Sequence, residues 1–198
     1  MATETRPRGR PRLFDEEVAL DRITELFWRQ GYAQTTITDI VEVSGVHKPS
    51  LYRTFGTKEE LFARVLRRYQ DTRLAMFGQL VASVGPGVDG IHEFLDLMRD
   101  DVVNGSSRNG CLLVATSTEL CGTTPGYENF GPRYRQAVRE LFRPVAARAG
   151  GSDTLIDRRT NLLTTWFLGL DISTRGGAST EETDEAFDGL RATVDSWR

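Results

Sequence analysis

Cysteine and histidine are scarce in this chain, two of each among 198 residues. Cys111 and Cys121 stand ten residues apart with no CxxC spacing, and His47 and His92 are remote from both. Ligands scattered this way suggest no metal site. If both cysteines shared one helix, ten residues would turn about 1000° and leave them roughly 80° apart, which excludes a disulfide within it. Free thiols are expected, with redox sensing as the alternative use. Also missing is any apolar run near the ~20 residues of a membrane-spanning helix. The start, MATETRPRGRPR, lacks the apolar stretch of a secretory signal. A cytoplasmic protein with no membrane partner is expected. There is no strand-like alternation, no nucleophile set beside a base, and no Gly-rich phosphate loop, so neither an enzyme nor a cofactor is expected.

What is present is helical periodicity. Hydrophobic residues make up 39% and charged residues 27%, the balance of a globular chain long enough to bury a core. Asp15 is placed to cap a first helix, with Glu16 and Glu17 in its first turn, apolar positions from Val18 to Phe27, and Gly31 as its stop. A long amphipathic helix is predicted from Lys58 toward Leu80, ending before Gly85-Pro86-Gly87, and further helices over Val88–Asn104, Cys111–Leu120 and Tyr134–Ala149. Pro144 within the last of these predicts a kink. Ser152 or Asp153 can start the helix that carries Trp166 and Phe167, and Ser179 to Glu182 has the pattern of a capping box. The expected fold is all-α with about nine helices. His92 has no assigned role.

Charge is divided along the chain. The formal net charge is -3, yet residues through Leu80 carry 13 Lys and Arg against 11 Asp and Glu, and the remainder carries 12 against 17. Arg6, Arg8, Arg10 and Arg12 face only Glu4 in the first 13 residues. A basic arm, a mildly basic first part and an acidic second part suit a protein with one DNA-facing end. The arm (1–13) is read as flexible, either lying along DNA or serving as a solubilising tail.

Between Thr35 and Lys58 the chain reads TTITDIVEVSGVHKPSLYRTFGTK. Two brief apolar-periodic segments joined at Ser44-Gly45 make a helix-turn-helix, whose second helix is shaped for a DNA major groove. Pro49 suits that helix's first turn, where the missing N–H costs nothing. Leu51 and Phe55 then point inward, and Lys48, Ser50, Tyr52, Arg53 and Thr54 lie on or near the groove side. Lys48 and Arg53 can pair with guanine or phosphate, and Ser50 can bond either. Arg53 could read a base or hold a phosphate. His47, at the turn, is a further candidate DNA contact. Thr36 is a candidate helix cap, and a Thr hydroxyl with free N–H groups at a helix start is also an anion site.

These residues resemble the TetR (tetracycline-repressor-like) family of transcriptional regulators over roughly Phe14 to Tyr69. The likeness lies in FWRQGY, the Thr-Thr start of helix two, the Ser-Gly-Val turn, KPSLYRTF, and GTKEELF leading into helix four. GCLLV at Gly110–Val114 and FLGL at Phe167–Leu170 also look like those of many members. The resemblance implies a helix-turn-helix DNA-binding domain over 14–58 and a helical ligand-binding and dimerisation domain over 59–198. It implies phosphate contacts at Thr36, Tyr52 and Lys58, and a base-reaching position at Thr38. In the family the last two helices form a four-helix bundle across a two-fold axis. Trp166, Phe167, Gly169, Leu170, Phe187, Leu190, Val194 and Trp197 could serve that bundle or be internal core.

Helices five to eight are expected to enclose an apolar pocket, with Phe94, Met98, Leu113, Ser117, Tyr127, Phe130, Trp166 and Phe167 as candidate linings. The same stripes could be plain core. The reading that follows is a homodimeric repressor on a palindromic double-stranded operator, released by a small apolar or aromatic effector. Its alternatives are an architectural DNA-binding protein without a ligand, and an enzyme or carrier with an incidental helix-turn-helix. The acidic second part disfavours the architectural reading.

Overall fold

The computed structural model describes residues 14–105, 107, 110–121, 124 and 126–198. The expected basic arm, 1–13, lies outside the described residues. Among those described there are nine helices and no strand: α1 (Glu16–Gln34), α2 (Ile37–Ser44), α3 (Lys48–Phe55), α4 (Lys58–Ser83), α5 (Gly87–Val103), α6 (Leu112–Leu120), α7 (Phe130–Ala147), α8 (Asp153–Arg175) and α9 (Thr180–Asp195). The chain divides into two compact units between Val65 and Leu66. The expected boundary was Lys58. The division falls later because Leu61, Phe62 and Val65, on the first turns of α4, are buried within the first unit.

In the first unit, Asp15 caps α1 by accepting from the N–H of Glu17 at 2.9 Å and of Val18 at 3.3 Å. Ala19, Leu20, Ile23, Leu26 and Phe27 form its buried stripe. Gly31 leaves helical geometry, as expected of a stop, but helix resumes beyond it as far as Gln34. Phe27 meets Phe62 edge-on with ring centroids 4.7 Å apart, and Tyr32 lies 4.8 Å from the same Phe62 ring. Pairs of this kind add to the area term that drives burial.

In the second unit one core unites α4, α5, α7, α8 and α9 around Phe77, Ile91, Phe94, Met98, Phe142, Phe167 and Phe187. The Phe167 ring is 5.6 Å from Phe77 and 5.4 Å from Phe142. α6 is apolar on nearly every side and is buried accordingly, through Leu112, Leu113, Val114, Ala115, Thr116 and Leu120. α7 begins four residues before the expected Tyr134, at Phe130; Pro132 falls in its first turn, where no N–H is needed. It runs on through Pro144. Ser152 caps α8, and Ser179 with Glu182 forms the capping box of α9. One side chain holds the end of α4: the Arg148 guanidinium donates to the carbonyl of Val81 and, just past the helix, to that of Gly85.

Two details of the second unit bear on what the residue pattern left open. His92 has a partner, its Nε2 lying 2.9 Å from the Asp195 carboxylate. Phe167, Leu170, Phe187, Leu190, Val194 and Trp197 are buried within a single chain. The outward side of α8 instead carries Leu162, 40% exposed, and Ile172, 56% exposed. A shallow groove between α8 and α9 is lined by Leu162, Thr165, Trp166, Ala186, Gly189 and Thr193, among others. The stripe that is most apolar in sequence went to the core because a helix in a small bundle buries its strongest face first.

Candidate nucleic-acid interface and effector cavity

α2 starts in a reciprocal cap. The Thr36 hydroxyl accepts from the Asp39 N–H at 3.2 Å, and the Asp39 carboxylate accepts from the Thr36 N–H and hydroxyl, both at 2.8 Å. Those bonds, the backbone one first, hold the Asp39 carboxyl below the usual range. The N–H groups of Ile37 and Thr38 belong to the first turn and have no intrahelical acceptor. Thr38 is exposed beside them. An anion approaching here meets free donors, but also the Asp39 carboxylate.

The turn between α2 and α3 is locked by one serine. The Ser44 hydroxyl donates to the Ile40 carbonyl at 2.6 Å and accepts from the Val46 N–H at 3.2 Å. Gly45 holds φ 69°, where an L side chain is disfavoured. Val46, Leu51 and Phe55 then fill the space beneath α3.

α3 starts without a side-chain cap and with Pro49 in its first turn; the His47 carbonyl accepts from the N–H of Ser50 at 2.8 Å and of Leu51 at 3.0 Å. Leu51 is 1% exposed while its neighbour Tyr52 is 43% exposed. His47, Lys48 and Arg53 are exposed as well, and Ser50 and Thr54 are half-buried at the edges of that face. The Arg53 guanidinium donates to the Ser50 hydroxyl at 3.2 Å, which joins the two on one side of the helix. The surface so formed offers ammonium, guanidinium, phenol and hydroxyl groups within two turns, the mixture that reads phosphates and base edges.

Lys58 has a role that its sequence position did not disclose. Its ammonium donates to the carbonyls of Tyr32 at 2.8 Å and Thr35 at 2.7 Å, and sits 4.2 Å from the Tyr32 ring centre. Thr36 and Lys58, the two expected phosphate anchors outside α3, are thus both engaged within the chain. Nearby, Thr57 and Glu60 cap each other at the head of α4, with the Thr57 N–H donating to the Glu60 carboxylate at 2.8 Å. A Thr-Lys-Glu-Glu order carries that signal.

The cavity of the second unit lies among α4, α6, α7 and α8. Counted out to its open edge the hollow measures about 410 Å³. Of the expected linings it includes Leu113 and Phe167; the others are Gln70, Arg73, Leu74, Phe77, Cys111, Tyr134, Ala137, Val138, Leu141 and Phe142. Phe94 and Met98 are buried in the core behind it. Tyr127 and Phe130 pack on each other with centroids 5.9 Å apart, and Ser117 bonds the Leu113 carbonyl, all three outside the lining. Trp166 turns to α9, donating to the Ala186 carbonyl at 3.2 Å. A signal for the missed residues existed: Gln70, Arg73, Leu74 and Phe77 on α4 follow helical i, i+3, i+4, i+7 spacing, as do Tyr134, Val138 and Leu141 on α7.

At one end the cavity is polar. Cys111 and Cys121 are free thiols, the first buried and the second exposed. Cys111 Sγ lies 3.2 Å from the Tyr134 hydroxyl. Burial raises the pKa of both, and the Asp171 charge raises them further. The Arg73 guanidinium donates to Asp101 at 3.3 Å and to Ser107. Asp171, 6% exposed, has a buried Oδ2 with no hydrogen-bond partner. Its carboxyl is pushed up to about 7, by burial first and by Asp101 in addition, against the pull of Arg73. Among the described residues no His, Cys, Asp and Glu group could hold a metal, and no helix is long and apolar enough to cross a membrane.

Residues 19–65 match the family model "Bacterial regulatory proteins, tetR family". The chain is 29% identical over 193 residues to the transcriptional repressor ComR of Escherichia coli K12, covering 92% of each chain. It is 25% identical to BdcR of the same organism, covering 90% of this chain and 88% of that one. Among solved structures, the TetR-family regulator CifR, as a cysteine mutant complexed with 26-bp operator DNA, superposes with a TM-score of 0.79 at 23% identity over 96% of this chain and 100% of that one. SCO4454 of Streptomyces coelicolor gives a TM-score of 0.76 at 18% identity, covering 91% of this chain and 94% of that one. A tetR-family domain matched over residues 19–65, repressors similar along nearly the whole chain and a shared fold together support a TetR-family transcriptional regulator.

Proposed function

We propose that this chain is a homodimeric repressor that binds a palindromic operator through α2 and α3 and is released by a small apolar or aromatic effector. The observation that carries the reading is the division of α3 into a buried Leu51–Phe55 side and an exposed side with His47, Lys48, Tyr52 and Arg53. Such a helix presents its polar side to the groove and is held rigidly by the other. Thr38 would reach a base edge and the first-turn N–H groups of α2 would meet a flanking phosphate, with Ser50 and Thr54 at the margins of the reading face. The names of ComR and BdcR, both repressors, support repression here.

One recognition helix spans few base pairs, so specificity calls for two copies on half-sites about one helical turn or more apart. The exposed Leu162 and Ile172 and the α8–α9 groove support pairing of two chains along that face. The effector would enter the hollow among α4, α6, α7 and α8. By binding one conformation of the dimer better than the DNA-bound one, it would shift α4 and with it the spacing of the two recognition helices.

The test is fluorescence anisotropy at one fixed salt concentration with the DNA upstream of the chain's own gene. Sub-micromolar binding is expected, lost in Lys48→Ala or Tyr52→Ala. Unchanged affinity in both variants overturns the assignment of α3.

A further inference from the structure

The cavity combines three features that together specify a ligand. Its walls are hydrocarbon and aromatic: Leu74, Phe77, Leu113, Phe142 and Phe167. Gln70, Leu74, Ala137 and Leu141 are half-exposed while Phe77, Leu113, Phe142 and Phe167 are buried, so the mouth opens between α4 and α7 and the aromatic rings form the floor. One end is polar, with Arg73, Cys111 and Tyr134, and Asp171 lies close to the last two without itself lining the cavity.

The charge at that end does not balance. Arg73 is taken by Asp101 and Ser107. Asp171 sits one helical turn along α8 from Phe167, and its carboxylate acts electrostatically on Cys111, Tyr134 and Arg73. Its Oδ2 is buried without a hydrogen bond. One guanidinium therefore serves two carboxylates, that of Asp101 partly exposed and that of Asp171 buried, and the Oδ2 of Asp171 remains unsatisfied. A buried polar group without a partner costs stability, so one that persists marks a place where something else binds. An anion would meet the Asp171 charge at this end, and Arg73 is already shared between Asp101 and Ser107. A cation finds a carboxylate, and above it the π-faces of a ring cluster.

We propose that the effector is a small lipophilic amine, whose ammonium group meets Asp171 past Cys111 and Tyr134 while its hydrocarbon body replaces the packing of Phe77, Phe142 and Phe167. The inference rests on the effector reading above and narrows it to a chemical class. Amine binding would turn a costly unpaired carboxylate into a charge-assisted pair, which is the differential contact a ligand needs to select one conformation.

Three probes of nearly equal shape test it by calorimetry on the full chain: phenethylamine, 2-phenylethanol and 3-phenylpropionate. Phenethylamine is expected to bind most tightly, to gain affinity from about pH 6 to about pH 8 as Asp171 ionises, and to lose roughly tenfold or more in Asp171→Asn. The alcohol is expected to bind that isosteric variant and the parent alike. Leu113→Trp, which fills the cavity, is expected to abolish binding of all three. If the alcohol or the acid binds more tightly than the amine, or the amine binds Asp171→Asn undiminished, the amine class is overturned and the effector cavity stands. If none of the three binds, or if binding persists in Leu113→Trp, the cavity itself is not the effector site and both readings fall.

Discussion

The ammonium of Lys58 donates to the carbonyl of Tyr32 across 2.8 Å and rests 4.2 Å from the centre of the same residue's ring. With the bond to Thr35 it ties the first turn of α4 to the end of α1. Hydrogen bonds to a charged donor are worth more than neutral ones, about 1.5–3 kcal/mol each net. Lys58→Met should therefore lower the stability of the first unit by about 2 kcal/mol and reduce its melting temperature even without DNA. A variant as stable as the parent in a thermal melt would remove Lys58 from the framework and return it to a phosphate contact alone.

Arg53 stands where it can reach a base or a phosphate. The two roles separate in one assay. If it reads a base, Arg53→Ala weakens the operator by about 1–3 kcal/mol and leaves random DNA almost untouched; a phosphate contact weakens both alike and lowers the salt slope by about one. Base reading is the expected outcome, with anisotropy on operator and scrambled duplexes at several salt concentrations as the measurement.

Two glycines flank α3 and should differ in tolerance. A Cβ at Gly45 would meet nothing within 4 Å, so Gly45→Ala suffers only its φ of 69°, about 1–2 kcal/mol. At Gly56, with φ 76°, a Cβ would fall 2.1 Å from the Glu60 carboxylate that caps α4. Gly56→Ala must therefore break that cap as well and should be the more destabilising of the pair by about 1 kcal/mol or more. Equal midpoints in urea for the two variants would contradict this.

Asp171 should make stability depend on pH. Its folded carboxyl titrates at about 7, well above an ordinary aspartate near 4, so the folded chain keeps a proton that the unfolded chain has released. Stability from this group is therefore full below about pH 4 and is lost as pH rises through about 7. Asp171→Asn removes the dependence. The variant should gain up to about 4 kcal/mol over the parent at about pH 8 and nothing at about pH 4, read from urea midpoints. A gain of equal size at both pH values would mean that ionisation of Asp171 is not the cause.

The α8 face gives a test of assembly. Leu162→Arg places a charge on a side chain that is 40% exposed in the single chain and lines the α8–α9 groove. In a dimer built on that face the guanidinium would be desolvated, at a cost of several kcal/mol, and the species seen by sedimentation should become monomeric. In a chain that pairs elsewhere the same change is a neutral surface substitution.

Local chemistry made much of this readable in advance. The starts of α1, α2 and α9 follow from Asp15, from Thr36 with Asp39 and from Ser179 with Glu182, each cap closed within three residues. The alternation of Leu51 and Phe55 with Lys48, Tyr52 and Arg53 needs only the helical period to set the two sides of α3. By the same period the long apolar stripes set an all-α fold. These are interactions between near neighbours, and the order of the residues contains them.

What the order of residues left open was decided by groups far apart in sequence. Lys58 became a clasp because α1 leaves two carbonyls, 23 and 26 residues away, within reach of its ammonium. The cavity is lined by α4 and α7 residues and not by Phe94 or Met98, because each apolar stripe faces several neighbours and packing alone selects which one meets a gap. Nothing near Asp171 in sequence marks it out. Its burial beside Cys111, Tyr134 and Arg73 exists only once α4, α6, α7 and α8 have closed around it, and it is that closure which turns an ordinary carboxylate into an unsatisfied one.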